Sequence, residues 1–248
     1  MEIESDLKIW TSELSDQAYF QRQFSEPYES TVEIFNLLDE LVDINSDSKI
    51  LDACCGSGAN AIYAVERYRL KNIRGFDFNK ETIEAGKDFI LKTNKCGIEL
   101  YTEDLFKLSN KIMLEMYDGI VLHQTLSWMN RPYEALDVLG GLDTKWIAIS
   151  SLFYDGLLEA WTQVKRYDEN GRFIGTSPYN TYSTKLITQR FRSYGFKKIK
   201  FVKFNIKREL NNSDVNRMGT TTQKMKNGIN LQISGPLLMP WMFCVAIK

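Results

Sequence analysis

Ile50-Leu51-Asp52-Ala53-Cys54-Cys55-Gly56-Ser57-Gly58-Ala59-Asn60-Ala61 is the stretch on which the fold turns. Lys49–Cys54 is a short apolar run that stops at two glycines, the mark of a buried strand entering a turn. Ala59–Tyr68 then carries apolar residues at helical spacing. Glycine lets the backbone bend sharply between the two and lets a ligand lie against it.

The same rhythm continues outward. Ile73–Phe78, Ile98–Tyr101, Tyr117–His123 and Lys145–Phe153 read as further strands, with helices over Glu81–Lys95 and Tyr133–Leu139. Strand and helix in alternation mean crossover units and a parallel sheet. Upstream, Val32, Ile34, Phe35, Leu37, Leu38, Leu41, Val42 and Ile44 give a helix with one apolar face, closed by Asn45-Ser46-Asp47-Ser48. Downstream the alternation stops. Thr184–Tyr194 predicts a helix ended by Gly195, and Lys198–Lys207 a strand with one wet face. Lys226-Asn227-Gly228 is a hairpin turn, and Leu231–Ile247 is apolar, interrupted by Gly235-Pro236 and Pro240. Without a long helix between Lys207 and the closing WMFCVAIK, the last two long strands should pair antiparallel.

Composition narrows the classes. The 248 residues carry 31 Lys+Arg against 32 Asp+Glu, 44% hydrophobic and 25% charged residues, as ordinary globular chains do. Balanced charge argues against a nucleic-acid partner, which calls for clustered basic excess. No apolar run approaches the ~18 residues of a membrane span. MEIESDLKIW is acidic at the start and does not read as a secretory signal. Cys54, Cys55, Cys96 and Cys244 form no C-x-x-C pair, so they read as reduced thiols in a cytoplasmic protein without a metal site.

Gly56-x-Gly58-x-x-Ala61 satisfies a dinucleotide-binding pattern, and Asp77 lies nineteen residues past Gly58, placed to take two ribose hydroxyls. Asp52 decides between ligands. A pyrophosphate in that crevice would meet its carboxylate, a repulsion of roughly several kcal/mol at low dielectric. A ligand bearing an ammonium and a sulfonium would be attracted, which favours S-adenosylmethionine over NAD. Asp77 also fits a helix cap and Asp104 a surface turn, so it is their joint spacing that carries the reading.

The stretch resembles motif I of class I S-adenosylmethionine-dependent methyltransferases, with Cys54 where that family usually has its first glycine. Gly75-Phe76-Asp77-Phe78-Asn79 resembles motif II, Thr102-Glu103-Asp104-Leu105-Phe106 the acidic segment after the third strand, and Tyr117-Asp118-Gly119-Ile120-Val121-Leu122-His123 motif IV. The resemblance implies an α/β fold, a Rossmann-like seven-stranded mostly parallel sheet with an antiparallel C-terminal strand and an N-terminal helical cover. It divides one domain, 1–248, into a helical cover (1–45), a cofactor-binding core (49–153) and an acceptor-side part (154–248). S-adenosyl-L-methionine would be held by Asp52, Cys54, Gly56, Gly58, Asp77, Phe78, Asp104 and Leu105, with Tyr19 of the cover, and Phe24 beside it, folded over. Shorter segments, Ser150–Gly156 and Met218–Trp241, resemble a small-molecule subgroup that modifies bacterial surface glycans and flagellin sugars. That implies a sugar or sugar-nucleotide acceptor methylated at oxygen or nitrogen.

On the acceptor side, His123 is the one histidine of the chain and closes the fourth strand, at the carboxyl edge where open α/β sheets bind ligands. It is the candidate general base, or else a hydrogen-bonded structural residue. Gln124, Tyr154, Asp155 and Tyr182 are candidate acceptor ligands, Asp155 also fitting a simple turn. The connection 154–182, with Trp161, Tyr167, Phe173 and Tyr179, is long enough for a lid or a small satellite core. Nine basic and no acidic residues between Lys185 and Arg208 suit either an anionic acceptor or a protected sheet edge. The chain would act as a monomer or homodimer. A non-catalytic cofactor-binding subunit and an NAD-dependent oxidoreductase are the rival readings.

Overall fold

The computed structural model describes residues 22–168, 170–207, 209, 220–234 and 237–248. A helix α1 (Glu29–Leu41) is followed by β1 (Lys49–Ala53), α2 (Ala59–Tyr68), β2 (Asn72–Asp77), α3 (Lys80–Lys92) and β3 (Ile98–Thr102). Then come α4 (Asn110–Met113), β4 (Tyr117–His123), α5 (Pro132–Gly141) and β5 (Thr144–Tyr154). The last third holds β6 (Gln163–Tyr167), β7 (Phe173–Pro178), β8 (Tyr182–Ser183), α6 (Thr184–Ser193) and β9 (Lys198–Lys203). It closes with β10 (Thr220–Lys224), β11 (Asn230–Ser234), β12 (Leu237–Met239) and β13 (Trp241–Ile247).

The main sheet runs β3-β2-β1-β4-β5-β13-β9, with the two-residue β8 added beside β5. Strands β1 to β5 are mutually parallel, and β13 lies antiparallel between β5 and β9. The expected antiparallel pair is therefore present, and it is the final strand rather than β9 that joins the parallel body. The order reverses between β1 and β4, so the two carboxyl ends splay there and open a crevice.

Each face of the sheet is covered because side chains alternate along the strands. Ile50, Ile73, Val121, Ala148 and Val245 pack under Ile34, Phe35 and Leu38 of α1 and Ala61 and Ala64 of α2. Leu51, Phe76, Leu122 and Ile149 face the other way, against Leu136 and Leu139 of α5 and Ile187 and Phe191 of α6. Asp52 follows Ile50 by two residues, and His123 and Ser150 follow Val121 and Ala148 by two. These polar groups thus continue the α1 face beyond the apolar layer.

Two expectations change in the last third. Residues 154–182 hold an antiparallel hairpin, β6 with β7, rather than one long irregular connection. The strand from Lys198 stops at Lys203, and β10, β11 and β12 form a small antiparallel sheet of their own. The hairpin turn at Lys226-Asn227-Gly228 does join β10 to β11, with the Gly228 N–H donating to the Met225 carbonyl. The basic run is shared between α6, which carries Lys185, Arg190 and Arg192, and β9, the outer strand of the sheet, which carries Lys198, Lys200 and Lys203; Lys200 reaches Glu40 at 3.9 Å, and Lys207, past the strand's end, reaches Glu33 at 2.7 Å. Lysines on an outer strand discourage pairing with another chain.

Candidate functional site

Four parallel carboxyl ends converge on the crevice, and the glycine turn forms its floor. Gly56 (φ 56°) and Gly58 (φ 82°) take left-handed backbone conformations, and so does Cys54 (φ 54°). That conformation is where glycine is the easy residue. It accounts for the glycine usually found at the Cys54 position, and a cysteine there holds the same turn under some strain. Gly58 caps α2 with no side chain, leaving the first-turn N–H groups turned toward the crevice.

Asp52, the last residue but one of β1, has 1% of its surface exposed, and neither carboxylate oxygen finds a hydrogen-bond partner among the described residues. Burial pushes its pKa up to about 8; the Ala61 N–H and the Asn60 amide offset part of this without closing a hydrogen bond, and the Asp77 charge adds to it. Asp52 is therefore largely protonated at neutral pH until a cation arrives beside it.

Asp77, at the end of β2, is bound differently. Its Oδ2 accepts from the Gly56 N–H at 2.9 Å and its Oδ1 from the Asn79 N–H at 2.9 Å. Burial raises its pKa, and these backbone donors pull the other way. The cap of α3 is Asn79, which accepts from the N–H groups of Glu81 and Thr82, so Asp77 is not the capping residue. Its bond to Gly56 instead ties the second acidic position to the glycine turn. Phe78, next to it, is 37% exposed. That leaves its ring available to a planar group.

Asp104 is exposed and caps the short turn Leu105–Lys107 through the Phe106 N–H at 3.0 Å, while Leu105 is buried in the core below. The turn reading of Asp104 thus holds alongside any ligand role, and Leu105 contributes packing. Tyr19 lies outside the described residues. Phe24 is within them and stacks on Phe89 of α3, centroids 4.1 Å apart.

His123 sits beneath the first turn of α1. Ser30 Oγ lies 3.1 Å from its Nε2, and Gln124 Nε2 donates to the same Ser30 Oγ at 2.9 Å. Nδ1 finds no partner among the described residues, and burial pushes the imidazole pKa down to about 3. A neutral ring this weak in basicity, with one nitrogen already engaged, fits the structural alternative better than the general base. A proton taken from a hydroxyl would be held very weakly there. Sequence reasoning missed Ser30, because nothing in a helical pattern shows which strand end its first turn will meet.

The acceptor candidates separate in space. Tyr154 is 48% exposed at the end of β5, and Asp155 beside it accepts from Thr184 Oγ1 at 3.3 Å. Tyr182 does not line a rim: it is fully buried and its hydroxyl donates to the Leu126 carbonyl at 2.9 Å. Tyr179 is likewise buried, whereas Trp161, Tyr167 and Phe173 are exposed. A recess of about 520 Å³ opens at the opposite, amino edge of the sheet, lined by Leu41, Asn45, Asp118 and Lys145. None of the acidic positions that ring the crevice reaches it.

Three of the four thiols are poorly placed to act as nucleophiles. Burial, joined by the nearby Asp77 charge, holds the pKa values of Cys54 and Cys55 well up, and burial alone does so for Cys244. Cys96 is exposed. A disulfide-exchange titration of the native protein should find Cys96 fast, the half-buried Cys54 slow, and Cys55 and Cys244 released only on unfolding.

A profile of the family described as "Methyltransferase domain" matches residues 44–226. The chain belongs to that methyltransferase family. The matched span takes in β1 to β5, both acidic strand ends and the glycine turn. Solved structures agree on the fold. The N-terminal domain of EvdMO1, with S-adenosylhomocysteine bound, is 13% identical with a TM-score of 0.58, over 94% of this methyltransferase and 85% of that chain. YcgJ from Bacillus subtilis is 12% identical with a TM-score of 0.57, over 88% and 98%. The [4+2]-cyclase SpnF is 14% identical with a TM-score of 0.52, over 69% of this chain, which spans 58% of the cyclase's length. No curated protein sequence matches significantly. Among the described residues no helix is long and apolar enough to cross a membrane.

Proposed function

We propose that the protein transfers a methyl group from S-adenosylmethionine to a nitrogen or oxygen of a small polar metabolite of the sugar class. Asp52 carries the reading: two buried carboxylate oxygens without partners among the described residues suit a ligand that brings its own cation. An ammonium beside Asp52, a carboxylate near the first turn of α2 and a ribose near Asp77 fit the donors and acceptors present. The donor, when bound, supplies an electrophilic methyl with a good leaving group. The chain's residues bind, orient the acceptor and exclude water. Asp52, Asp77 and the Gly56–Gly58 turn would hold the donor, which would supply the methyl carbon to the acceptor's lone pair and keep the carbon–sulfur bonding pair on sulfur, the acceptor's proton passing to solvent.

Nitrogen is favoured over oxygen as the acceptor atom. An amine need only arrive neutral, whereas a hydroxyl needs a base, and His123 is a poor one. A sugar framework is supported by the EvdMO1 domain, whose structure was also obtained in the presence of S-adenosylhomocysteine and D-fucose. The exposed Tyr154 and Trp161 rings offer faces for such a molecule.

Calorimetric titration with S-adenosylhomocysteine should give binding and NAD should give none; the reverse would overturn the proposal. Asp77→Ala should weaken that binding about 10-fold or more by removing ribose contacts and loosening the Gly56 turn. Labelled methyl transfer to a panel of amino sugars and sugar nucleotides would then identify the acceptor. A fold shared with a cyclase makes this turnover measurement necessary.

A further inference from the structure

The hydrogen bonds around Ser30 have a polarity. With the Gln124 amide assigned so that its nitrogen faces the serine, Nε2 can only donate and Ser30 Oγ accepts there, at 2.9 Å. The serine keeps one hydrogen to give, and His123 Nε2, 3.1 Å away, is the acceptor it meets. If Nε2 instead carried the proton, the Ser30 hydrogen and the Nδ1 lone pair would both lack partners among the described residues. With the proton on Nδ1, only that N–H is left over. One unsatisfied group in a buried site costs less than two. The side chain of Ser150, the register partner of His123 on β5, is also fully buried with a hydroxyl lacking a partner among the described residues.

We propose that Ser30 and Gln124 are positioning residues that hold His123 with its proton on Nδ1, making it a hydrogen-bond donor to the methyl acceptor rather than the base that deprotonates it. His123 Nδ1–H and the Ser150 hydroxyl then form a pair of donors on neighbouring strands, suited to a sugar oxygen. The acceptor's part in this rests on the methyl-transfer reading. The proton's position does not.

Because the chain has a single histidine, its two ring nitrogens can be read directly by long-range proton–nitrogen correlation spectra of the full chain labelled with nitrogen-15 histidine. The ligand-free protein at pH 7.5 should show a protonated Nδ1 and a bare Nε2, opposite to the preference of a free histidine side chain in water. Gln124→Glu keeps the shape and reverses the polarity: a carboxylate accepts from Ser30, which must then accept from Nε2–H, so the spectrum should switch tautomer. Ser30→Ala should move the population toward Nε2–H, and it serves as the deciding variant should Gln124→Glu fail to fold. A wild-type proton on Nε2, an imidazolium at pH 7.5, or variants that leave the tautomer unmoved would each overturn the proposal. The measurement needs no cofactor, so absent methyl transfer would count against the proposed function alone.

Discussion

Replacing Asp52 with asparagine should raise the melting temperature of the ligand-free protein at pH 8 while sharply weakening its affinity for S-adenosylhomocysteine. The folded pKa of Asp52 is about 8 against an ordinary value of 3.8, so between those values the folded chain holds a proton that the unfolded chain has lost. Stability then falls as pH rises through that window. His123 acts in the opposite sense, since its pKa falls from 6.5 to about 3 on folding, which adds stability as pH rises from 3 to 6.5. The two slopes oppose one another below pH 6.5, and Asp52 stands clear of the histidine above it. Wild-type stability should drop by about 2 kcal/mol between pH 6.5 and 8, roughly 4–8 °C in melting temperature. Asp52→Asn should flatten that slope, and an unchanged slope would show that the carboxyl is not held neutral.

The same substitution should weaken S-adenosylhomocysteine binding about 100-fold or more, because a buried charge partner is lost. Wild-type binding at pH 7 should also release close to one proton as Asp52 ionises beside the ammonium. Calorimetry in two buffers of different ionisation enthalpy reads this number, and a heat independent of buffer would remove Asp52 from the contact. A position that gains stability when its charge is deleted is the expected signature of a binding residue held at a cost to the fold.

Gly86→Ala should destabilise the protein and impair ligand binding, against the usual direction for this change. In an exposed helix interior, alanine is favoured over glycine by about 1 kcal/mol. Here Gly86 lies where α3 crosses the glycine turn, and an added Cβ would stand 2.2 Å from the Ser57 carbonyl oxygen and 2.9 Å from Leu100 Cδ1. Backbone cannot yield as a flexible side chain does, so α3 and the turn must move apart. The expected loss is about 1–3 kcal/mol in denaturant unfolding, with weakened S-adenosylhomocysteine binding because Gly56 and Gly58 shift with Ser57. A stabilised variant would show that the two elements are not in contact.

The parallel body was legible because its signals are local. Strand, glycine turn and helix follow one another through Ile50–Tyr68, and Asp52 and Asp77 stand at strand ends that periodicity alone locates. Chain order and the right-handed crossover rule then bring both acids to one edge. The β6–β7 hairpin and the small β10–β12 sheet were harder to read, since short strands with mixed faces such as Gln163–Tyr167 lack a strong period. The antiparallel closing pair was legible, and the three lysines of β9 against the wholly apolar β13 agree with β9 lying at the edge and β13 beside β5.

What the sequence by itself determined was the fold class, the crevice and the acidic residues at its strand ends. Those depend on residue type and spacing along the chain. Only the tertiary structure decided the state of each group within the crevice. It left Asp52 without partners among the described residues, tied Asp77 to Gly56, buried Tyr182 against Leu126 and set Ser30 against His123. Ser30 and His123 are 93 positions apart, and the hydrogen bond between them depends on how α1 seats over the sheet. Hydrogen bonds and burial act through space over a few ångströms, so the chemistry of a side chain is settled by neighbours that its own segment of sequence does not name.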